Sequence, residues 1–436
     1  MVARCTSGHP LVIRNDPVDA EGRPFPTTFW LTCPDAVKAV SRLESEGWIA
    51  RLNEDTAIAT SIAEAHHAYA AERAELKTGA EAFGGVGGTR TGVKCLHAHY
   101  AYHLAGGDDP VGRWTAERVE PVHPEERPGR VAAIDQGTNS SRLLVLEPRD
   151  DGEPLELARD LLITRLGRGV DETGRLDPTS IERVLEVVRR YARRSRAMHA
   201  ERIRLAATSA ARDASNAAEL LGPLREIVGA ELEILTGERE AGLSFLGGTR
   251  ALDAEDGPFL VMDIGGGSTE FVSGHEPGLA EHAVSVQLGS VRLTERVQPS
   301  DPPTDAELKR FTEEAERAME RVEETVPARE ARLMVAVAGT ATTLQACALG
   351  LDRYDPDVVH RSTLSLQDAE RTLHQLAAMT NEERAAIPVM PKGRGDVIVA
   401  GATVLVTALR RFGFDRALVS ETDILDGLAL ELLGVR

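Results

Sequence analysis

The segment FLVMDIGGGSTEFVSG, residues 259–274, constrains this chain more than any other: an apolar run ends in Asp263, three glycines follow, and Ser268, Thr269 and Glu270 lead into a second apolar stretch. Three consecutive glycines sacrifice backbone entropy, and the usual compensation is a phosphate drawn against bare amides. The pattern is neither G-x-G-x-x-G nor G-x-x-x-x-G-K-[ST]. It predicts a buried strand that delivers an aspartate and a phosphate-binding turn to one place.

Residues 131–147, VAAIDQGTNSSRLLVLE, follow the same logic. A strand runs into Asp135, turns through Gly137, Thr138, Asn139 and Ser140, and returns as a second strand. The tip can surround phosphate oxygens with amides and hydroxyls, and Asp135 can hold a hydrated Mg²⁺. An ordinary hairpin turn is the alternative. A third loop, VAVAGTATTLQA (335–346), is either another ligand-facing turn or a plain strand-to-helix turn.

Between and after these loops strands and helices alternate, the pattern of α/β architecture. Asp177 followed by Pro178 marks a helix start, with Ile181, Leu185 and Val188 on one stripe. Thr304 and Glu307 form a capping box ahead of Leu308, Phe311, Ala315, Met319 and Val322. The short apolar runs 259–262 and 397–399 both read as buried strands.

The chain has 69 acidic against 50 basic residues, a formal charge of −19, which argues against a broad nucleic-acid or lipid-headgroup surface. A polyanion would be held only at a locally basic site. No apolar run approaches the ~20 residues that cross a bilayer, and an apolar leader core is absent from the first residues. Four scattered cysteines do not make a disulfide framework, so a cytoplasmic setting is expected.

Taken together and in order, Asp-x-Gly-Thr-Asn-Ser-x-Arg, Asp-Ile-Gly-Gly-Gly-Ser-Thr-Glu and Ala-Gly-Thr-Ala-Thr-Thr resemble the exopolyphosphatase/guanosine pentaphosphate phosphohydrolase family of the actin-like ATPase superfamily. The resemblance spans about residues 130–436 and extends through TRLGRGVDETGRL (164–176), AATSAARDASN (206–216), LTGEREAGLSFLG (235–247) and VSVQLGSVRLTE (284–295). It implies an α/β fold, the two-lobed actin-like (ribonuclease H-like) ATPase type with an active-site cleft, preceded here by a small mostly helical α+β domain. The expected divisions are an N-terminal domain at 1–105, a linker rich in Gly, Pro and charge at 106–130, lobe I at 131–250 and lobe II at 251–436.

The resemblance also implies roles. Glu240 is the carboxylate that orients or deprotonates the attacking water, ahead of Glu238 two residues earlier. Asp135, Asp263 and Glu270 form the acidic group around Mg²⁺, with Asp135 and Glu270 also catalytic. Gly137, Thr138, Asn139, Ser140, Gly265, Gly266, Gly267, Ser268, Gly339 and Thr340 cradle phosphates. Arg212 contacts phosphate, with Arg142 a weaker candidate and Arg165 and Arg168 weaker still. The implied activity is Mg-dependent release of terminal phosphate from inorganic polyphosphate. The rivals are the 5′-phosphohydrolase of guanosine pentaphosphate at the same site, a polyphosphate/nucleotide phosphotransferase, and a non-catalytic phosphate-polymer sensor. The chain resembles the short form of the family, for which weaker processivity is expected, and a homodimer is expected by resemblance alone.

The N-terminal region resembles domain-of-unknown-function family 501 through PFPTTFWLTCP and GVKCLHAHYAYHLAGG. If 95–105 is helical, Cys95, His99 and His103 share a face, and Cys5, His9 or Cys33 could complete a zinc site. A buried His/Cys stripe is the alternative. The run 83–92, FGGVGGTRTG, lacks the Lys-Ser/Thr of a P-loop and reads as a loop.

Overall fold

The computed structural model describes residues 1–18, 25, 27–76, 84–119, 129–150, 152–229 and 232–435. Its contacts divide the chain into two units. The first comprises 1–132, 143–160 and 188–203, the second 133–142, 161–187 and 204–436.

In the first unit, strands β1 (Ala3–Arg4), β2 (Pro10–Arg14) and β3 (Phe29–Leu31) form a small antiparallel sheet, accompanied by helices Pro34–Ser45, Trp48–Glu54, Ala59–Glu75, Leu96–Leu104 and Pro110–Val119. This is the mostly helical α+β region expected. Its core is aromatic: Tyr69 meets Phe29 and Tyr102 edge-on at 6.1 and 5.0 Å, the geometry that ring quadrupoles favour. The helix Pro110–Val119 lies inside the segment 106–130 read as linker. Asp109 caps it, Oδ1 accepting from Val111 N and Gly112 N at 2.9 Å each, and Pro110 follows as a pre-set first helical residue. Residues 120–128 of that segment lie outside the described residues. The unit also holds the arginine-rich end of helix Pro178–Ala197, where Arg190 pairs with Glu72 at 2.7 Å and Arg193 Nε donates to Gly106 O at 2.9 Å.

Strands β4 (Val131–Gln136), β5 (Ser140–Glu147), β6 (Leu155–Ile163), β7 (Arg202–Ala207) and β8 (Leu232–Ile234) form a five-stranded sheet in the order β6-β5-β4-β7-β8. Strands β9 (Phe259–Ile264), β10 (Thr269–Gly274), β11 (His282–Val286), β12 (Leu333–Val337), β13 (Ser362–Ser365) and β14 (Arg416–Val419) form a six-stranded sheet in the order β11-β10-β9-β12-β14-β13. Its centre, β9, β12 and β14, is parallel, and its edges are antiparallel. All six residues of β9 are buried, as a central strand covered on both faces requires. Leu260, Met262, Phe271, Phe311, Met319 and Val322 share one core cluster. The capping box at Thr304 and Glu307 opens helix Asp305–Thr325 as expected.

One expectation fails here. The run 397–399 is not a strand but the entry into helix Ile398–Phe412, almost all of which is buried. Three apolar residues in a row are compatible with either element, and the helix continues because Ala402, Leu405, Val406 and Leu409 keep the core covered through four turns. Among the described residues, no helix is long and apolar enough to cross a membrane.

Candidate active site

The two aspartate loops are the same turn. Gly137 N donates to Ser140 O at 2.9 Å, and Gly265 N donates to Ser268 O at 3.0 Å. In each, an aspartate (Asp135, Asp263) sits two residues before the first glycine, at the end of a buried strand. The glycines are required by close approach. A Cβ on Gly267 would stand 2.6 Å from Ser209 Oγ and 2.8 Å from Thr138 Oγ1, so no side chain fits between the second loop, the first loop and the 208–209 turn. The third loop leaves β12 into helix Ala338–Ala348, and Ala338 holds φ +65°, a left-handed conformation that costs a non-glycine residue energy and marks a turn fixed by its surroundings.

These three loops surround a solvent-open pocket with a cavity volume of about 90 Å³. The loop residues expected at the phosphate site and Arg142 line it, whereas Arg212, Arg165 and Arg168 do not. Arg212 instead donates through Nη1 to Glu240 Oε1 at 2.9 Å and to Leu235 O at 2.8 Å, which makes it the partner of the carboxylate. Glu240 is buried in helix Gly237–Thr249, whereas Glu238 is exposed, so helical geometry separates two glutamates that sequence spacing alone could not.

Burial and crowding dominate the electrostatics. Burial, reinforced by the neighbouring Glu270 charge, pushes the Glu240 carboxyl up to about 10, while Arg212 opposes. Asp263 is pushed up to about 8 by burial and the charges of Glu270 and Asp423. Ser244 Oγ donates to Asp263 Oδ2 at 2.5 Å, and Ser285 Oγ donates to Glu270 Oε1 at 2.7 Å. Carboxylates this close resist ionising together, and a cation between them would relieve the repulsion.

Arg142 and Asp423 carry more of the site than sequence reading gave them. Arg142 reaches Asp135 Oδ2 with Nε at 2.9 Å and Nη2 at 2.7 Å, and its Nη1 donates to Asp423 Oδ2. Asp423 went unnoticed because it doubles as an ordinary helix cap, its Oδ1 accepting from Leu425 N at the start of helix Ile424–Leu432. Arg394 was also missed. It is buried beside the third loop, donating from Nη1 to Gly339 O at 3.0 Å and to Thr343 Oγ1 at 2.7 Å, and burial lowers it to about 10. Its only sequence signal is the Gly-Arg-Gly-Asp turn at 393–396. Arg165 pairs with Asp396 at 2.9 Å.

Helix Gly237–Thr249 and helix Ile424–Leu432 touch backbone to backbone, which sets Glu240 and Asp423 in place. A Cβ on Gly247 would overlap the Asp423 carbonyl oxygen, and one on Gly427 would overlap that of Leu243. Gly247→Ala is therefore expected to cost about 1–3 kcal/mol or more by overpacking, read as a lower urea midpoint at unchanged m-value.

The residues present fit a hard divalent cation. All the candidate ligands are carboxylate oxygens, and Asp135 Oδ1 is buried with no hydrogen-bond partner. Asp135, Asp263 and Glu270, all among the described residues, do not bring three ligand oxygens within 4.8 Å of one another.

The expected Cys95, His99 and His103 stripe is not assembled as a metal site. His99 Nδ1 pairs with the buried Asp109 Oδ2 at 2.7 Å. The helix begins after Cys95, so Cys95 is a cap residue and leaves the face that His99 occupies. Among the described residues, the Cys/His group with ligand atoms close together is Glu44, Cys95 and His97.

Comparison with known proteins agrees with this geometry. Residues 1–117 match a family described only as a protein of unknown function, DUF501. Exopolyphosphatase 2 of Mycobacterium tuberculosis is 43% identical over 317 residues, covering 70% of this chain and 99% of that protein. A solved exopolyphosphatase-like protein is 36% identical with a TM-score of 0.66, covering 69% of this chain and 98% of its own. The Aquifex aeolicus member of the Ppx/GppA family is 33% identical with a TM-score of 0.59, covering 70% of this chain and 98% of its own. These likenesses place the α/β fold with that of the Ppx/GppA proteins. Residues 145–435 match the Ppx/GppA phosphatase family, and with paired aspartate loops, a buried glutamate and a phosphate-sized pocket in one place, the chain belongs to that family.

Proposed function

We propose that this chain is an exopolyphosphatase that hydrolyses the terminal phosphoanhydride of inorganic polyphosphate. The observation that carries the reading is the buried Glu240, paired with Arg212 and opening onto three phosphate-type loops. The exopolyphosphatase relatives reported above support it.

Phosphoryl transfer to water needs positioning and charge stabilisation, with little covalent chemistry from the protein. Glu240 takes a proton from the attacking water, whose oxygen bonds to the terminal phosphorus. The bond from that phosphorus to the bridging oxygen breaks. Orthophosphate leaves, and the shortened chain departs with the bridging oxygen as its new terminal oxyanion. Amides of the three loops hold the non-bridging oxygens, and Arg394 sets positive charge beside the third loop. A divalent cation, with Mg²⁺ the proposed ion, would be held by Asp135, Asp263 and Glu270 and would neutralise phosphate charge. A cytoplasmic setting fits four cysteines scattered along the chain.

Among the described residues no aromatic side chain lines the pocket, so a guanine base would find no aromatic stacking partner there. This favours the polymer over guanosine pentaphosphate. The test is orthophosphate release with Mg²⁺ on both substrates at equal concentration of terminal phosphate, with ADP added in a parallel assay. Faster release from the polymer without ATP formation is expected. Preference for the nucleotide would make the chain an alarmone phosphatase, ATP formation a phosphotransferase, and binding without turnover a sensor.

A further inference from the structure

In the first unit, Glu44 stands in the last turn of helix Pro34–Ser45, Cys95 caps helix Leu96–Leu104, and His97 lies in that helix's first turn. One ligand atom from each falls within 4.8 Å of the others. Glu44 Oε1 is 3.2 Å from His97 Nδ1, and Cys95 Sγ is 3.9 Å from the same nitrogen. We propose that Glu44, Cys95 and His97 form a binding site for a divalent transition-metal ion of the zinc class, with solvent in the remaining position.

Four observations carry this. First, His97 turns Nδ1 to the sulfur and the carboxylate, while Nε2 lies 3.1 Å from both Val37 O and Ser41 Oγ, so a carbonyl acceptor stands ready for an Nε2 hydrogen. A ligating histidine normally donates its other ring N–H to such a carbonyl. Second, Glu44 Oε1 is already fixed, accepting from Leu96 N at 2.7 Å, so little ordering remains to be done on binding. Third, one nitrogen, one sulfur and one oxygen donor suit Zn²⁺ or Co²⁺ and do not suit Mg²⁺ or Ca²⁺, which prefer oxygen alone. Fourth, the side chains of His97 and Glu44 are 22% and 26% exposed, which leaves both an entry path and an open coordination position.

Metal binding displaces any proton on His97 Nδ1 and releases the thiol proton of Cys95 to solvent, with no change of oxidation state. The ion would join the end of one helix to the start of another, and its open position could take water or an exogenous ligand.

Co²⁺ titrated into the full-length chain is the direct test, because a thiolate-to-cobalt charge-transfer band reports a cysteine ligand and no described residue lining the carboxylate pocket carries sulfur. A band that saturates at about one equivalent and is displaced by Zn²⁺ is expected. C95S should abolish it. H97Q and E44Q should weaken Co²⁺ binding at least about tenfold, since even outer partners of a ligand are worth that much. Should C95S misfold by circular dichroism, E44Q, at a partly exposed side chain, carries the test. Absence of the band overturns the proposal, as does a band unchanged in C95S. Rapid alkylation of Cys95 without cobalt binding would also overturn it, identifying a thiolate–imidazolium pair instead.

Discussion

Glu240→Gln is expected to lower kcat for terminal phosphate release by about 100- to 10,000-fold, the range that a positioned general base supplies. The amide keeps the shape of the side chain and can still meet Arg212, so KM should move far less than kcat. Retention of full activity would remove Glu240 from the base role. A second readout comes from pH. The Glu240 carboxyl rises from an ordinary 4.5 to about 10 because it is buried beside Glu270, and the two titrate as a coupled pair. A base must be ionised to act, so kcat/KM of the wild type should climb with pH well above the usual carboxylate range, with the bound cation drawing that limb downward. The stability sign is opposite. A carboxyl raised in the folded state contributes stability that is complete below its unfolded pKa and is lost as pH rises toward the folded value. Glutamine does not ionise, so Glu240→Gln should flatten the decline of urea stability between neutral and alkaline pH. The comparison of the two urea midpoints against pH is the measurement.

The loops were legible because their aspartates and glycines lie together in short runs of sequence, although the contact that demands Gly267, with Ser209 and Thr138, is long-range. Glu240 was legible through its motif, and the structure adds the reason Glu238 fails, its place on the exposed side of the same helix. What could not be read are residues whose role is set by long-range closure. Arg142 and Asp423 are 281 positions apart, and each alone has an ordinary reading, a hairpin arginine and a helix cap. Arg394 comes from a turn with no apolar period and acquires its place by lying on Gly339. Arg212 was assigned to phosphate, but burial of Glu240 gives it a carboxylate to neutralise. The Cys95, His99 and His103 stripe followed helical spacing correctly from Leu96 onward. It failed at its first member, because a cap residue has extended backbone and does not share the helix face.

Arg142→Ala is expected to be the most destabilising single change at the site, costing about 3–5 kcal/mol, because it leaves buried carboxylates without their shared counter-ion. The side chains of Arg142, Asp135 and Asp423 are only 14%, 4% and 4% exposed, so water cannot take the arginine's place cheaply. The guanidinium spans two acceptors in one plane, donating to Asp135 with two nitrogens and to Asp423 with the third. Lysine keeps the charge but has no such fork, so Arg142→Lys should recover only part of the loss. Charge neutralisation supplies the control. Asp423→Asn in the Arg142→Ala background removes one uncompensated carboxylate while the shape is nearly kept, and the double variant should be more stable than Arg142→Ala alone. Urea midpoints of the four proteins in that cycle give the coupling directly. A coupling near zero would mean that Arg142 serves Asp135 alone and that the helix Ile424–Leu432 is held by its glycine contact and cap. A large coupling would tie the first aspartate loop to the last helix through one arginine, and activity should then fall in step with the fraction of Asp135 left unpaired. Asp135 belongs to the proposed cation site, so the loss should be partly offset by raising Mg²⁺ in the Arg142→Ala assay, where the ion would take over the neutralising charge.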